Sequence, residues 1–260
     1  MQLFRSILSR RMLALILCAI LIYVNAFTSV KVFAKVCTNQ PAFRCTANKQ
    51  AEADQAHNNN LAITAKAAVL IDNASGRILY AKNKDKKLIP ASITKIMTLL
   101  LIFESIEQGK CKLEDKVTVS EYAASMGGSQ VFLEPGETQD VNTMIKCISI
   151  ASANDAAVAM AEHLAGSEQS FVKRMNKKAK ALGMKHTHFK NCNGLDDSIE
   201  SGHYSSAYDV ALMSQSLVSK YPDISKYSTV WMDAITHITK KGKKKFGLTK
   251  WNQPYRRHYG

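Results

Sequence analysis

Acidic residues are scarce in this chain. Asp and Glu total 21 against 35 Lys and Arg, giving a formal net charge of +14 over 260 residues. The charged fraction of 22% and the hydrophobic fraction of 46% are nonetheless ordinary, which excludes a disordered composition and leaves enough apolar residues for a sizeable core. Cysteine is sparse at 6 residues, and no Cys-x-x-Cys or Cys/His spacing suggests a zinc site, so no metal is expected. Cys147 falls in an apolar helical pattern and reads as a small buried hydrophobe. Cys37 and Cys45 lie close together in a polar segment, near enough in sequence to pair. No internal repeat is present.

The N-terminus departs from the rest. "MQLFRSILSRR" is basic, and "MLALILCAILIYV" follows as a continuous apolar stretch. A positive start before a short apolar core predicts a secretory signal over residues 1–34, with "VFA" as a loose small-residue cleavage site. An uncleaved membrane anchor is the alternative. Leu17 precedes Cys18 where a lipoprotein signal would have a small residue. Both alternatives place the remainder outside the cytoplasm, in the cell wall or on the outer face of the membrane. The basic charge then points to an anionic envelope or membrane surface and not to nucleic acid. Export also permits disulfides.

Residues 35–62 are polar and patternless and read as a linker. The domain expected over 63–260 opens with "AKAAVLIDNASGRILYAKN", two β-rich runs around a turn cluster. The run from Ser92 to about Glu107 follows Pro90. It is apolar nearly all round, which predicts a buried central helix too short to cross a membrane. "VTVSEYAASM" begins a strand-like or helical piece, and "EPGE" is a turn. Helices are expected in "VNTMIKCISI" and "DAAVAMAEHLAG", which meet at "ASAN", and in "SFVKRMNKKAKALG" and "AYDVALMSQSLVSKYP". "WMDAITHITKKGKKKFGLTKWN" predicts two strands around a solvated lysine-rich turn at 240–245. The order of hairpin, helices and strands predicts an α/β (α+β) fold: an antiparallel sheet completed by both ends of the chain, flanked by helices and interrupted by a helical subdomain.

Two short patterns carry chemistry. A serine hydroxyl is a poor nucleophile until a base takes its proton. Lysine can serve only when neutral, and burial lowers its pKa. Ser92 and Lys95, three apart at the mouth of an apolar helix, share a face. Ser92 also sits beside free helix N-terminal N–H groups able to stabilise an oxyanion. Taken alone, Ser92 is equally an N-cap, and Lys95 can snorkel its ammonium to the surface. The second pattern is Ser152-Ala153-Asn154 at the helix–helix junction. Its hydroxyl can relay a proton, and its amide can donate to and accept from a peptide group. In isolation either residue simply caps the next helix.

Together, Ser-x-x-Lys opening an apolar helix and a downstream Ser-x-Asn resemble the penicillin-recognising serine enzymes. Within them the chain resembles the low-molecular-mass D-alanyl-D-alanine carboxypeptidases of peptidase family S11. "PASITKIMTLLLIFE" is similar to the family's nucleophile helix, and "SANDAAVAMAEHLAGSEQSFVKRMNKKAKALGMKHTHFKNCNGLDD" to its helical region. The likeness runs from about Ala65 to the end. The resemblance implies a DD-peptidase/β-lactamase-like fold, with Ser92 as acyl-enzyme nucleophile and Lys95 as its general base. Ser152 would pass the proton to the leaving D-alanine, and Asn154 would hold the substrate backbone. The implied substrate is the stem pentapeptide of peptidoglycan, with β-lactam antibiotics as covalent inhibitors and no metal or organic cofactor.

The family's third element, Lys-Thr/Ser-Gly on a strand, is not found. "KKG" at 240–242 is only a superficial candidate, and the chain is expected to be truncated before that motif, with the final strands missing. A β-lactamase shares the first two motifs, but the Glu-x-x-Leu-Asn pattern of the class A enzymes is absent. The loop after Asn154 offers Asp196, Asp197 and Glu200 instead. A non-catalytic envelope protein or inactive fragment is the alternative from a different class.

Overall fold

The computed structural model describes residues 63–195, 201–239 and 242–250. The expected signal or anchor, the expected linker, Cys18, Cys37 and Cys45 lie outside the described residues, as do Asp196, Asp197, Glu200, Lys240 and Lys241. All described residues belong to one unit, Gln55–Gly260.

β1 (Ala68–Ile71) and β2 (Ile78–Lys82) form the antiparallel hairpin expected at the start. Asp72 shapes its turn: the carboxylate accepts from the Ser75 N–H at 2.8 Å, and the Asp72 carbonyl accepts from Gly76 N–H. After Pro90 the chain makes a 3-10 turn, Ala91–Thr94, that runs into α1 (Lys95–Glu107). α1 buries residues on every face, from Met97 through Phe103, which is why its sequence shows no polar stripe.

β3 (Lys116–Thr118) leads into the short α2 (Glu121–Ala124). β4 (Thr138–Asp140) pairs antiparallel with β3, Val117 opposite Gln139. Then come α3 (Val141–Ile150), α4 (Asn154–Ala165), α5 (Glu168–Ala181) and α6 (Ala207–Lys220). Capping residues set their starts. Asp140, Ser167 and Ser206 accept from the backbone N–H groups of Thr143, Ser170 and Asp209, each cap worth about 1 kcal/mol. Gly166 closes α4 in the left-handed conformation at φ 77°. Pro222 ends α6 and starts a 3-10 turn leading into α7 (Ser225–Ser228). α1 is the hub: α3, α4, α5 and α6 all pack on it.

The last hairpin, β5 (Met232–Thr239) and β6 (Gly242–Thr249), pairs from Met232 opposite Thr249 to Thr239 opposite Gly242. The mixed helix-and-sheet class is as expected. The single sheet completed by both ends of the chain is not what the described residues form. They form three separate two-stranded antiparallel sheets. The reason lies in what each hairpin docks on. β1 packs on α6, whereas β5 and β6 pack on α3. Polar contacts hold the latter there: His237 Nδ1 lies 2.9 Å from Glu137 Oε1, Gln139 Nε2 donates to the Thr236 carbonyl at 3.0 Å, and Lys146 pairs with Asp233 at 2.8 Å. Among the described residues no helix is long and apolar enough to cross a membrane.

Candidate active site

The 3-10 turn brings Ser92 to the surface and leaves Lys95 at the first position of α1, only 3% exposed. Lys95 Nζ lies 3.3 Å from Ser92 Oγ and donates to the Asn193 carbonyl at 2.8 Å. The ammonium is therefore not snorkelled to solvent. Burial pushes its pKa down to about 8, with Cys192 and Asp155 pulling it back partway. The Ser92 N–H opens the turn and has no backbone partner among the described residues, so it is placed to meet an incoming oxygen.

Segment 190–195 lies across the turn and fixes this arrangement through its backbone. Thr98 Oγ1 donates to the Cys192 carbonyl at 2.5 Å, and the Cys192 N–H donates to Glu168 Oε1 at 2.9 Å. Asn191 closes the segment on itself, accepting from the Gly194 N–H and donating to the Leu195 carbonyl. Gly194 stands at φ +82°, and a Cβ there would lie 1.8 Å from the Ala91 carbonyl oxygen. Only glycine lets the two backbones approach so closely. His203 supports the turn from below. Its Nδ1 accepts from the Lys190 N–H, so its Nε2–H donates to Thr94 Oγ1, 2.9 Å away.

Ser152 sits where α3 stops. Its φ of 56° is left-handed, and the N–H groups of Ala151 and Ala153 both reach the Cys147 carbonyl at 3.2 Å. Glycine or asparagine is the usual occupant of such a position, so a serine here carries backbone strain. The bend turns Ser152 into the same pocket as Ser92 and Lys95, a cavity of about 320 Å³ with Ile96, Leu217 and Val218 in its wall.

Asn154 begins α4, and its Nδ2 donates to the Gly127 carbonyl at 2.8 Å. Its backbone N–H donates to the Ser129 carbonyl at 2.7 Å. Its Oδ1 accepts no hydrogen bond among the described residues and is open to an external donor. The structure thus brings Ser92, Lys95 and Ser152 to one pocket and sets Asn154 beside them, against the 127–129 loop. Gly242, of the superficial Lys-Lys-Gly candidate, lines a different pocket with Phe132, His237 and Lys244.

Sequence reasoning missed Asp155. Fully buried, it accepts from the N–H groups of Val131 and Leu133, each at 3.1 Å, and of Ala156 at 2.9 Å. Burial raises its pKa while those donors work against the shift. Asp155 thereby ties the 127–133 loop to the start of α4. The available signal was an acidic residue in the first turn of a helix, which alone says only that it favours the helix dipole.

A framework of antiparallel strands and helices brings Ser92, Lys95 and Ser152 to one cleft, and solved structures share that framework. The D-alanyl-D-alanine carboxypeptidase DacD of Francisella tularensis superposes with a TM-score of 0.66 at 31% identity, covering 80% of this chain and 49% of that one. A penicillin-binding protein of Listeria monocytogenes, solved with ampicillin bound, gives 0.56 at 30% identity, covering 73% of each chain. The family model for D-alanyl-D-alanine carboxypeptidase, peptidase S11, matches residues 50–259, and the chain belongs to that family. It is 54% identical over 203 residues to the D-alanyl-D-alanine carboxypeptidase DacF of Bacillus subtilis, covering 78% of this chain and 50% of that protein. It is 39% identical over 189 residues to DacA of Escherichia coli, covering 69% and 46%. The chain spans about half the length of the curated relatives it matches.

Proposed function

We propose that this chain carries the acylation centre of a serine-type D-alanyl-D-alanine carboxypeptidase, with Ser92 as nucleophile. The observation that carries this reading is a buried Lys95 amine 3.3 Å from an exposed Ser92 hydroxyl. Neutral Lys95 keeps an N–H on the Asn193 carbonyl and turns its lone pair toward the Ser92 O–H. It takes that proton as Ser92 Oγ attacks the carbonyl of the penultimate D-alanine. The Ser92 N–H stabilises the oxyanion. Ser152 passes the proton from Lys95 to the leaving amine of the terminal D-alanine, and the C–N bond breaks. Asn154 Oδ1 accepts from a substrate backbone N–H. Water then attacks the acyl-enzyme and frees Ser92.

The proposed substrate is the peptidoglycan stem pentapeptide, with β-lactams as suicide inhibitors. The proposed location is the bacterial envelope, on which the basic net charge would favour adsorption to anionic polymers. The relatives, named as carboxypeptidases and penicillin-binding proteins, support the substrate class.

The test is D-alanine release from an acyl-D-Ala-D-Ala peptide by the full chain, with Ser92→Ala and Lys95→Arg beside it. Release abolished by both substitutions is expected, because guanidinium stays protonated and cannot act as a base. Release that survives Lys95→Arg would remove lysine from the base role. A folded wild type that releases nothing would favour a non-catalytic envelope protein.

A further inference from the structure

We propose that Cys111, Asp115 and His163 form a binding site for one divalent transition-metal ion of zinc's type. The ion would act as a structural staple between the loop after α1 and the end of α4. One donor atom from each residue lies within 4.8 Å of the other two. Thiolate, imidazole and carboxylate together suit a borderline-soft tetrahedral ion. Such an ion, with bonds of about 2.0–2.3 Å, holds its donors roughly 3.5 Å apart. His163 is exposed, so its ring can swing by the ångström needed.

Each donor is placed with little competing for it. The Cys111 thiol is 2% exposed, yet its hydrogen-bond partner is the Lys112 carbonyl at a long 3.7 Å. Asp115 gives one oxygen, Oδ2, to the Lys112 N–H at 2.8 Å. That bond orients the carboxylate and leaves Oδ1 for a metal, as supporting contacts around metal ligands do. The His163 imidazole makes no hydrogen bond among the described residues. Its exposure also supplies an entry path and room for water as a fourth ligand. Binding releases the Cys111 proton to solvent.

Sequence spacing conceals the site, because Cys111 and Asp115 sit beyond the end of α1 while His163 is in the last turn of α4. The same two helices carry Lys95 and Asn154 at their opposite ends. α1 is 13 residues long, so the staple lies about 20 Å of helix from the reacting atoms. It would brace the frame without entering the chemistry.

The test uses the full chain without a histidine tag, stripped of metal and titrated with Co²⁺. Expected are tetrahedral d–d bands and a near-ultraviolet thiolate-to-cobalt band that saturate at one ion per chain. Zn²⁺ in excess should raise the melting temperature by about 5 °C. Cys111→Ser should abolish the charge-transfer band. His163→Ala, at an exposed position, should weaken Co²⁺ binding at least about tenfold. Asp115→Asn, which keeps an acceptor for the Lys112 N–H, should do the same. A charge-transfer band that survives Cys111→Ser, an affinity untouched by His163→Ala, or a wild type that binds no Co²⁺ would each overturn the proposal.

Discussion

Replacing Lys95 by Met should make the protein more stable while removing its acylation chemistry. The Lys95 pKa is lowered from 10.5 to about 8 by burial. Between those values the unfolded chain binds the proton and the folded protein releases it, so stability rises with pH across that window. Below about pH 8 the folded state carries the whole penalty. A shift of this size corresponds to about 3 kcal/mol. Met fills similar volume without charge. It also leaves the Asn193 carbonyl without its 2.8 Å partner, at a cost of about 1–2 kcal/mol. The net expectation is a gain of about 1–2 kcal/mol at pH 7. Urea denaturation of both proteins at pH 7 and pH 10 measures it. The advantage of Lys95→Met should shrink or vanish at the higher pH, where wild-type Lys95 is neutral in the folded state. A Met variant less stable than wild type at pH 7, or an advantage independent of pH, would refute the desolvation reasoning.

Three further substitutions probe the supports of the site. Gly194→Ala should cost at least about 3 kcal/mol and abolish acylation, since its Cβ would meet the Ala91 carbonyl at 1.8 Å. Thermal melts and a penicillin-labelling assay read both effects. Ser152→Gly should stabilise by about 1 kcal/mol by relieving the φ of 56°, yet lower the rate of D-alanine release about a hundredfold by removing the proposed proton relay. Asp155→Ala strands the Val131, Leu133 and Ala156 N–H groups. It should cost about 3 kcal/mol in urea denaturation.

The elements that were legible from sequence are those whose pattern is written in side chains. The unbroken apolar run gave away α1 as a buried helix, and Pro90 and Pro222 marked real boundaries. Ser92, Lys95 and Ser152 were legible only through the combination of the two motifs, since each alone reads as a helix cap or a snorkelling lysine, and the three line one pocket. The remainder depends on backbone atoms and on distance in sequence. The acceptor that holds Lys95 is the Asn193 carbonyl, a group every residue possesses, so nothing in "NCNG" advertised it. Gly194 looked like an ordinary loop glycine until the Ala91 carbonyl was seen against it. The final hairpin carried no mark that it would dock on α3 and β4. That choice rests on the His237–Glu137 and Lys146–Asp233 contacts, whose partners are far apart in the chain.

The most direct measurement is covalent labelling of the full chain by a penicillin, with the modified peptide mapped by mass and the rate followed from pH 6 to 10. The expected result is a single adduct on Ser92, absent from Ser92→Ala, forming faster as pH rises through about 8, where Lys95 loses its proton. A folded protein that takes no label, a label elsewhere than Ser92, or a rate flat across that range would contradict the assignment of Ser92 and Lys95 as nucleophile and base.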